Sequence, residues 1–414
     1  MIPRPVFFAL VLLCLNSLST AAPGPTPESV GLSSSRLARI GPWVERLQAE
    51  QKIAGAVTLV ARRGQLVHLE AHGLADLETR RPMRTDDIFA LASMTKPITA
   101  VAVLMLLEEQ KLLLTDPLEK FLPAFARRQV AVPRADTPIG YELVPAARSI
   151  TILDLLTHRA GFPGLPQDDG PVGKLWSQAI KSLPADYTLQ DYVERLATLP
   201  LHSQPGTQWR YGDATLVLGR VIEIASGQSL DRFMAERIFA PLGMSDTSFT
   251  LPPEKRGRLA SLYQRTAGQP LTKLPSRNPA PRMFNAGGGL FSTAPDYLRF
   301  CQMLLNGGEL AGHRLLSRKA VELMATAQVE QIPLSFLAGQ GYGLQVAVLQ
   351  PTGASGLLGS PGTYGWSGAH NTYFRIDPKE QLIFAIFQQQ APGNDQESTY
   401  GFQNLVLSSL DPLN

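Results

Sequence analysis

The two ends of the chain carry the hydrophobic patterns of strands. Residues 54–61 and 65–73 predict two strands, and Arg62-Arg63-Gly64 between them predicts the turn of a hairpin. Near the carboxyl end, three segments rich in β-branched and aromatic residues predict further strands: residues 341–350, 372–376 and 382–389. Amphipathic helices are predicted beside both groups, at residues 33–51 and 399–410.

The middle of the chain has the spacing of helices instead. Helical segments are predicted at residues 149–158, 214–225, 229–239 and 292–306. Residues 98–107 form a ten-residue apolar run, which is too short to span a membrane and predicts a buried helix. Loops rich in proline and polar residues, which could border a cleft, separate these helices: residues 132–148, 161–173 and 251–282.

These patterns together predict an α+β fold, an α/β sandwich. An antiparallel sheet built from both chain ends is expected to be flanked by helices, with a mostly helical region inserted between the ends. We assign the sheet region to residues 33–84 and 285–414 and the helical region to residues 85–284, which together form one unit. The 414 residues, 44% hydrophobic and 18% charged, provide ample material for one large core or two intertwined ones.

Residues 1–22 carry the pattern of a secretory signal peptide. Arg4 precedes an apolar stretch at residues 6–15, and small residues follow at the expected cleavage site. Residues 23–32 would then form a Pro-rich leader. We therefore expect an exported protein, periplasmic or secreted, with no stable membrane span after cleavage; an uncleaved anchor is the alternative, although the run is short for one. Cleavage leaves Cys301 in an amphipathic helical pattern that predicts a buried position.

Charge and motif content exclude several classes of function. The net charge is +3 without a concentrated basic block, so nucleic acid is not an expected partner. No His-Glu-x-x-His or Cys-rich spacing predicts a metal site, and no cofactor is implied. Gly287-Gly288-Gly289 is not a phosphate loop, because no Gly-Lys-Ser/Thr follows it. The chain also lacks the Gly-x-Ser-x-Gly elbow of Ser-His-Asp hydrolases.

Ser93-Met94-Thr95-Lys96 opens the apolar run and offers a nucleophile beside a base. Residues three apart share one face of a helix, so the Ser93 hydroxyl and the Lys96 amine would be neighbours. A helix that begins near Ser93 also offers free backbone N–H groups to a developing oxyanion. A capping serine followed by a surface lysine is the alternative interpretation of these four residues alone.

Two further segments complete a family pattern. Tyr211-Gly212-Asp213 precedes the helix at residues 214–225, and Trp366-Ser367-Gly368 precedes the strand at residues 372–376. With Ser93-Met94-Thr95-Lys96, they resemble the motifs of the class C β-lactamase-like group of penicillin-recognising serine hydrolases. That group includes D,D-carboxypeptidases and family VIII carboxylesterases, and the motif pattern is most similar to the latter. Supporting segments also resemble the family: Leu155-Leu156-Thr157-His158, Pro241-Leu242-Gly243-Met244 and the segment from Gly287 to Thr293.

The resemblance implies a β-lactamase/D,D-peptidase-like fold and a role for each matching residue. Ser93 would be acylated, Lys96 would act as its base when neutral, and Tyr211 would carry the proton to the leaving group. The backbone N–H groups of Ser93 and Ala369 would form the oxyanion hole. Gly368 has no Cβ and would let substrate lie close to the strand edge.

Two residues depart from the family pattern. Asp213 stands where the second motif usually ends in asparagine, and an ionised carboxylate only accepts hydrogen bonds, whereas an amide also donates them. Trp366 stands where β-lactamases have a lysine or a histidine that helps to hold a substrate carboxylate. Tryptophan offers an apolar wall and one N–H instead. Both departures favour ester substrates over β-lactams or peptides.

The sequence therefore predicts an exported serine hydrolase that forms an acyl-enzyme at Ser93, as a carboxylesterase on short-chain esters. The alternatives are a β-lactamase, a D,D-carboxypeptidase or D-amino-acid peptidase, and a non-catalytic wall- or peptide-binding protein. The expected partner is a small ester or amide substrate. His370, beside the third motif, is a candidate substrate contact, and the oligomeric state stays open.

Overall fold

The computed structural model describes residues 25–164, 170–333, 337–351, 355–393 and 395–411. The predicted signal peptide, residues 1–22, lies outside the described residues. The α-helices are α1 (Ser34–Leu37), α2 (Ile40–Ala49), α3 (Thr95–Glu108), α4 (Ile152–Leu156), α5 (Pro171–Lys181), α6 (Leu189–Ala197), α7 (Ala214–Ser226), α8 (Leu230–Met234), α9 (Ala240–Leu242), α10 (Ala294–Leu305), α11 (Arg318–Met324) and α12 (Gln396–Leu407).

The strands fall into one large sheet and several short pairs. They are β1 (Gly55–Arg62), β2 (Gln65–Asp76), β3 (Arg81–Pro82), β4 (Phe89–Ala90), β5 (Gln129–Pro133), β6 (Tyr141–Pro145), β7 (Tyr263–Gln264), β8 (Thr272–Lys273), β9 (Phe291–Ser292), β10 (Glu309–Leu310), β11 (His313–Arg314), β12 (Gln340–Tyr342), β13 (Ala347–Leu349), β14 (Tyr364–Ser367), β15 (Tyr373–Asp377), β16 (Leu382–Phe387) and β17 (Gln390–Ala391).

The large sheet joins the two ends of the chain. Its eight strands lie in the order β12-β13-β14-β15-β16-β1-β2-β3, and each neighbouring pair is antiparallel. The join is the pairing of β1 with β16, in register from Val57 opposite Phe387 to Arg62 opposite Leu382. This arrangement confirms the α+β fold with an antiparallel sheet from both ends.

Each face of the sheet packs against different helices, because side chains alternate along a strand. On one face, Val57, Leu59 and Phe374 belong to the main core, which also contains the apolar residues of α3. On the other face, Val60 and Phe384 pack in a second core with side chains of α2 and α12, including Val44, Leu47, Phe402 and Val406.

Helix α3 is buried on all of its sides. Every residue from Thr95 to Leu106 is buried, as the apolar run predicted. A helix that is apolar all round has to be enclosed by protein. Helix α7 packs against α3, α10 packs against the sheet, and the turn that leads into α3 contacts β14. The amino-terminal end of α3 therefore lies where the sheet and the helical region meet.

Several predicted elements differ from the observed ones in extent. The helix predicted at 149–158 is only Ile152–Leu156, because Thr151 caps it in a reciprocal pair with Asp154. The helix predicted at 33–51 is divided into α1 and α2. The strand predicted at 341–350 is divided into β12 and β13, and Gln345 between them has a positive φ of 63°.

The loop predicted at 132–148 overlaps a hairpin, and the third motif is itself a strand. Strands β5 and β6 pair from Gln129 opposite Pro145 to Pro133 opposite Tyr141. Trp366 and Ser367 lie in β14, whereas the sequence analysis placed the motif ahead of a strand. Cys301 is fully buried in α10, as predicted. No helix among the described residues is long and apolar enough to cross a lipid bilayer.

Truncation of a leucine in α3 tests how strongly this helix supports the fold. Leu104 is fully buried, so Leu104→Ala should lower the free energy of unfolding by about 2–5 kcal/mol, measured by urea denaturation. Leu113, which follows α3, is 48% exposed, and Leu113→Ala is the matched control that should change the stability by less than about 1 kcal/mol. Equal losses in the two variants would contradict the central position of α3.

Candidate active site

Ser93 lies in a tight turn that leads into α3. The turn spans Ala92–Met94 in 3-10 geometry, and α3 continues from Thr95. Ala92 has a positive φ of 48°, which a residue with a Cβ rarely adopts, so the surrounding contacts must hold it there. The Leu91 N–H donates to the Leu290 carbonyl at 2.9 Å, and the Tyr297 hydroxyl donates to the Met94 carbonyl at 2.9 Å. The turn is thus fixed on both sides of Ser93.

Lys96 lies one helical turn after Ser93 and points toward it. Its Nζ is 3.3 Å from the Ser93 Oγ and donates to the Gly287 carbonyl at 2.5 Å. The lysine side chain is buried, whereas Ser93 is partly exposed. A Cβ on residue 287 would lie only 3.3 Å from the Lys96 Nζ, which explains why glycine suits this position. The structure therefore brings a partly accessible hydroxyl and a buried amine together.

Tyr211 covers the other side of Lys96. The Lys96 Nζ lies 4.8 Å from the centroid of the Tyr211 ring. The Trp366 indole N–H donates to the Tyr211 hydroxyl oxygen at 3.2 Å, and the centroids of the two rings are 5.5 Å apart. Tyr211 is partly exposed and Trp366 is buried. Trp366 is thus both an apolar wall and a hydrogen-bond donor to the phenol.

His158 supports Tyr211 from behind. Its ring centroid lies 4.8 Å from that of Tyr211, and the Gly212 N–H lies 3.5 Å from the His158 Nδ1. Complete burial, followed by the positive charge of Lys96, lowers the pKa of His158 well below its ordinary value, so the imidazole is neutral. The sequence favours a structural role for His158, within a segment that resembles the family.

Asp213 lies at the start of α7, behind Tyr211. Its side chain does not cap the helix and is hydrogen-bonded to the Tyr192 hydroxyl instead. Burial raises the pKa of the Asp213 carboxyl, while the Tyr192 hydroxyl and the positive charge of Lys96 act against this rise. The net shift favours the protonated carboxylic acid, which can donate as well as accept a hydrogen bond.

Gly368, Ala369 and His370 lie against the segment that precedes Ser93. A Cβ on Gly368 would lie 2.4 Å from the Leu91 carbonyl oxygen, so only glycine fits there. The Ala369 residue is exposed. His370 Nδ1 is 3.3 Å from the Ala90 carbonyl oxygen, and burial lowers the pKa of His370. The end of β14 is thereby held beside the turn that carries Ser93.

Arg277, which no sequence motif indicates, also lies beside the site. Its guanidinium donates to the Gly288 carbonyl and lies 5.5 Å from the centroid of the Phe291 ring. Burial lowers the pKa of Arg277 to about 10. A single arginine in a Pro-rich loop has no motif around it, so no sequence pattern indicates it. Among the described residues, no cluster of histidine, cysteine, aspartate and glutamate could hold a metal ion.

The predicted site residues thus come together from distant parts of the chain. The Lys96 amine lies near both the Ser93 hydroxyl and the Tyr211 ring, and β14 contacts the turn that carries Ser93. These are the groups that acyl transfer requires: a nucleophile, a base, a proton carrier and backbone donors.

Comparison with known proteins places the chain among relatives of several activities. It is 36% identical over 353 residues to Protein Rv1367c of Mycobacterium tuberculosis, which covers 82% of this chain and 86% of that protein. It is 31% identical over 378 residues to Esterase EstB of Burkholderia gladioli, with coverage of 87% and 92%. A putative D-alanyl-D-alanine carboxypeptidase of Escherichia coli K12 is 28% identical over 417 residues, with coverage of 92% and 89%.

A solved structure and a family model agree with these relatives. The structure of EstCE1, a hydrolase with promiscuous acyltransferase activity, superposes with a TM-score of 0.75 at 25% identity and covers 90% of this chain and 99% of that one. The Beta-lactamase family model matches residues 42–407. Since this match spans nearly all of the described residues, the protein belongs to the β-lactamase family of serine hydrolases.

Proposed function

We propose that the protein is an exported carboxylesterase that cleaves short-chain esters through an acyl-enzyme on Ser93. The observation that carries this proposal is Trp366, which occupies the place of the cation in the third motif and donates to the Tyr211 oxygen. The likeness to Esterase EstB over 87% of the chain supports it. Export is proposed from the signal pattern in residues 1–22.

Acylation follows from the contacts around Ser93. The Ser93 Oγ attacks the ester carbonyl carbon while its proton passes to the neutral Lys96 amine, 3.3 Å away. The Gly287 carbonyl and the Ser93 hydroxyl orient this amine. The backbone N–H groups of Ser93 and Ala369 donate hydrogen bonds to the carbonyl oxygen as negative charge develops on it.

Tyr211 carries the proton onward to the departing alcohol. The Trp366 N–H points at the Tyr211 oxygen and stabilises the negative charge that develops there when the phenol gives up its proton. Water then attacks the acyl-enzyme, with Tyr211 and Lys96 removing a proton from it, and the acid leaves as Ser93 regains its hydrogen. His158, neutral and buried, holds the Tyr211 ring in place.

Trp366 also explains the preference for esters. A penicillin or a peptide carboxylate needs a positive charge at the third motif, and the indole has none. Its ring forms an apolar wall with Tyr211, and the fully buried Tyr342 supports this wall, with its ring centroid 5.2 Å from that of Trp366. Such a wall suits the small apolar groups of short-chain esters.

One observation favours amide substrates as a second candidate. Asp213, in its protonated form, presents a donor and an acceptor, as the asparagine of the family motif does. Under this candidate, the protein would be a β-lactamase or a D,D-peptidase. The two candidates share Ser93 and differ in the preferred substrate.

Removal of the nucleophile tests the mechanism, and a substrate comparison tests the ester preference. Ser93→Ala should lower kcat/KM for p-nitrophenyl acetate and butyrate by about a thousandfold or more, because no acyl-enzyme forms. The wild type should hydrolyse these esters in preference to a chromogenic cephalosporin and should be labelled by a fluorophosphonate.

Ser408→Ala, an exposed serine that follows α12, is the matched control and should leave both activities unchanged. Full esterase activity in Ser93→Ala would refute the acyl-enzyme at this residue. A strong preference of the wild type for the cephalosporin would overturn the ester assignment and leave the mechanism standing.

Loss of the Tyr211 hydroxyl should slow turnover without unfolding the protein. Tyr211→Phe keeps the ring contacts with His158 and Trp366, so the melting temperature should change little. Because the proton carrier is missing, kcat for p-nitrophenyl butyrate should fall by about a hundredfold to ten-thousandfold. Tyr187→Phe, at the entrance to α6, is the control; equal kcat values in the two variants would remove Tyr211 from the mechanism.

Asp213→Asn should stabilise the fold more at pH 8 than at pH 4. The pKa of Asp213 is raised above its usual 3.8, so the wild type loses stability as the pH rises from the unfolded to the folded pKa. Asparagine has no such loss, and the gain in melting temperature should therefore grow with pH.

Asp246→Asn is a control whose effect on stability should change with pH in the opposite direction. Burial alone would raise the pKa of Asp246, but hydrogen bonds from Arg258 and Lys255 outweigh it and lower the pKa. Its substitution should therefore cost more stability at pH 8 than at pH 4. A pH-independent effect of Asp213→Asn would show that the pKa of this carboxyl is the same in the folded and unfolded states.

A further inference from the structure

Arg277 is a cation beside the site that has no anionic partner. Its only protein acceptor among the described residues is the Gly288 carbonyl, and no carboxylate of these residues lies within ion-pair distance of it. Burial is the sole influence on its pKa, with no neighbouring charge opposing it. A guanidinium has five N–H donors, so most of its hydrogen-bonding capacity is unused.

The guanidinium is anchored on the same glycine segment as the catalytic lysine. Lys96 donates to the carbonyl of Gly287, and Arg277 donates to the carbonyl of the next residue, Gly288. Gly288 in turn lies against Ala92, the neighbour of Ser93, since a Cβ there would be 3.5 Å from the Ala92 carbonyl carbon. Arg277 is therefore separated from the nucleophile's turn by one layer of backbone.

Arg277 also borders the oxyanion side of the site. Its charge acts on His370, which is adjacent to Ala369 and contacts the Ala90 carbonyl. Tyr211 belongs to the other side of Lys96, where it contacts Trp366 and His158. Since Tyr211 protonates the departing alcohol in the proposed mechanism, the alcohol half of the ester lies on that side, and the acyl half extends toward Arg277.

We propose that Arg277 binds a carboxylate on the acyl half of the substrate, so that the preferred esters are monoesters of dicarboxylic acids. This inference rests on the proposed esterase function and names its substrate class. The planar fork of arginine matches a carboxylate, and its partly buried position strengthens the pair relative to one in open solvent. The third motif has Trp366 in place of a cation. Arg277, on a different loop, supplies a cation instead, and it contacts the acyl half of the substrate.

Two pairs of esters that differ in a terminal carboxylate test the proposal. The first pair is mono-p-nitrophenyl fumarate and p-nitrophenyl crotonate, which share a rigid trans geometry. The second pair is mono-p-nitrophenyl adipate and p-nitrophenyl hexanoate, which reach further. Arg277→Met should lower kcat/KM for the anionic member of at least one pair by about ten- to a hundredfold, and for its neutral member by less than about twofold.

Two variants separate binding from structural support. Arg277→Lys keeps the charge but not the fork, so it should lose part of the effect on the anionic ester and keep the activity on the neutral one. Arg282→Met is the matched control, because Arg282 follows in the same loop region but is exposed and paired with Asp186 at 2.7 Å. It should affect the two members of each pair alike.

Each outcome bears on one claim. Equal losses on anionic and neutral esters in Arg277→Met and Arg277→Lys would mean that Arg277 only supports the fold, and would overturn the proposal. An effect confined to 4-carboxyphenyl acetate against phenyl acetate would place the carboxylate on the alcohol half and overturn the assignment to the acyl half. Absence of turnover of all these esters by the wild type would instead refute the esterase function itself.

Discussion

The burial of α3 is the constraint on which the rest of this structure depends. A fourteen-residue helix without a polar face has no stable place at a protein surface, so other elements must enclose it. The helical region, α7 foremost, packs against α3, and the apolar residues of α3 belong to the same core as one face of the sheet. Ser93 directly precedes this helix and Lys96 lies in its first turn, so the candidate site is tied to the same burial that holds the fold together.

This position also determines the environment of Lys96. The buried Lys96 amine contacts a hydroxyl, a backbone carbonyl and an aromatic ring. Among the described residues, no carboxylate forms an ion pair with it. Burial disfavours the charged forms of two neighbouring groups. It lowers the pKa of His158, which is neutral, and raises the pKa of the Asp213 carboxyl toward its protonated form. The site is thus a low-dielectric cluster in which protons can be exchanged without a fixed opposing charge.

The sequence predicted those parts of the structure that depend on local pattern. The apolar run at 98–107 is α3, and the two hairpin strands near the amino terminus are β1 and β2. The strand that carries Trp366 was missed, because Gly365 and Gly368 weaken the β pattern there. Gly365 is required by its close contact with the neighbouring strand at Phe374, and Gly368 by its contact with the Leu91 carbonyl.

Sequence patterns could not predict the contacts between distant segments, because these contacts depend on the tertiary fold. The Trp366 bond to Tyr211 spans 155 positions of the chain, and the Lys96 bond to Gly287 spans 191. Arg277 is significant only through its neighbours in space, and nothing around it in the sequence distinguishes it from the other arginines of the chain. Motifs could identify which residues to examine, but only the fold shows what each of them contacts.

The pairing of β1 with β16 determines how much of the chain must be synthesised before the large sheet can form. One edge of β1 is satisfied only by residues 382–387, close to the end of the chain, and the backbone of Ser33 likewise bonds to Ser409. A ribosome makes β1 early and β16 late, so an incomplete chain holds β1 with an open edge and Ser93 without its strand-side neighbours. The sheet beside Ser93 is therefore incomplete until residues 382–387 have been synthesised.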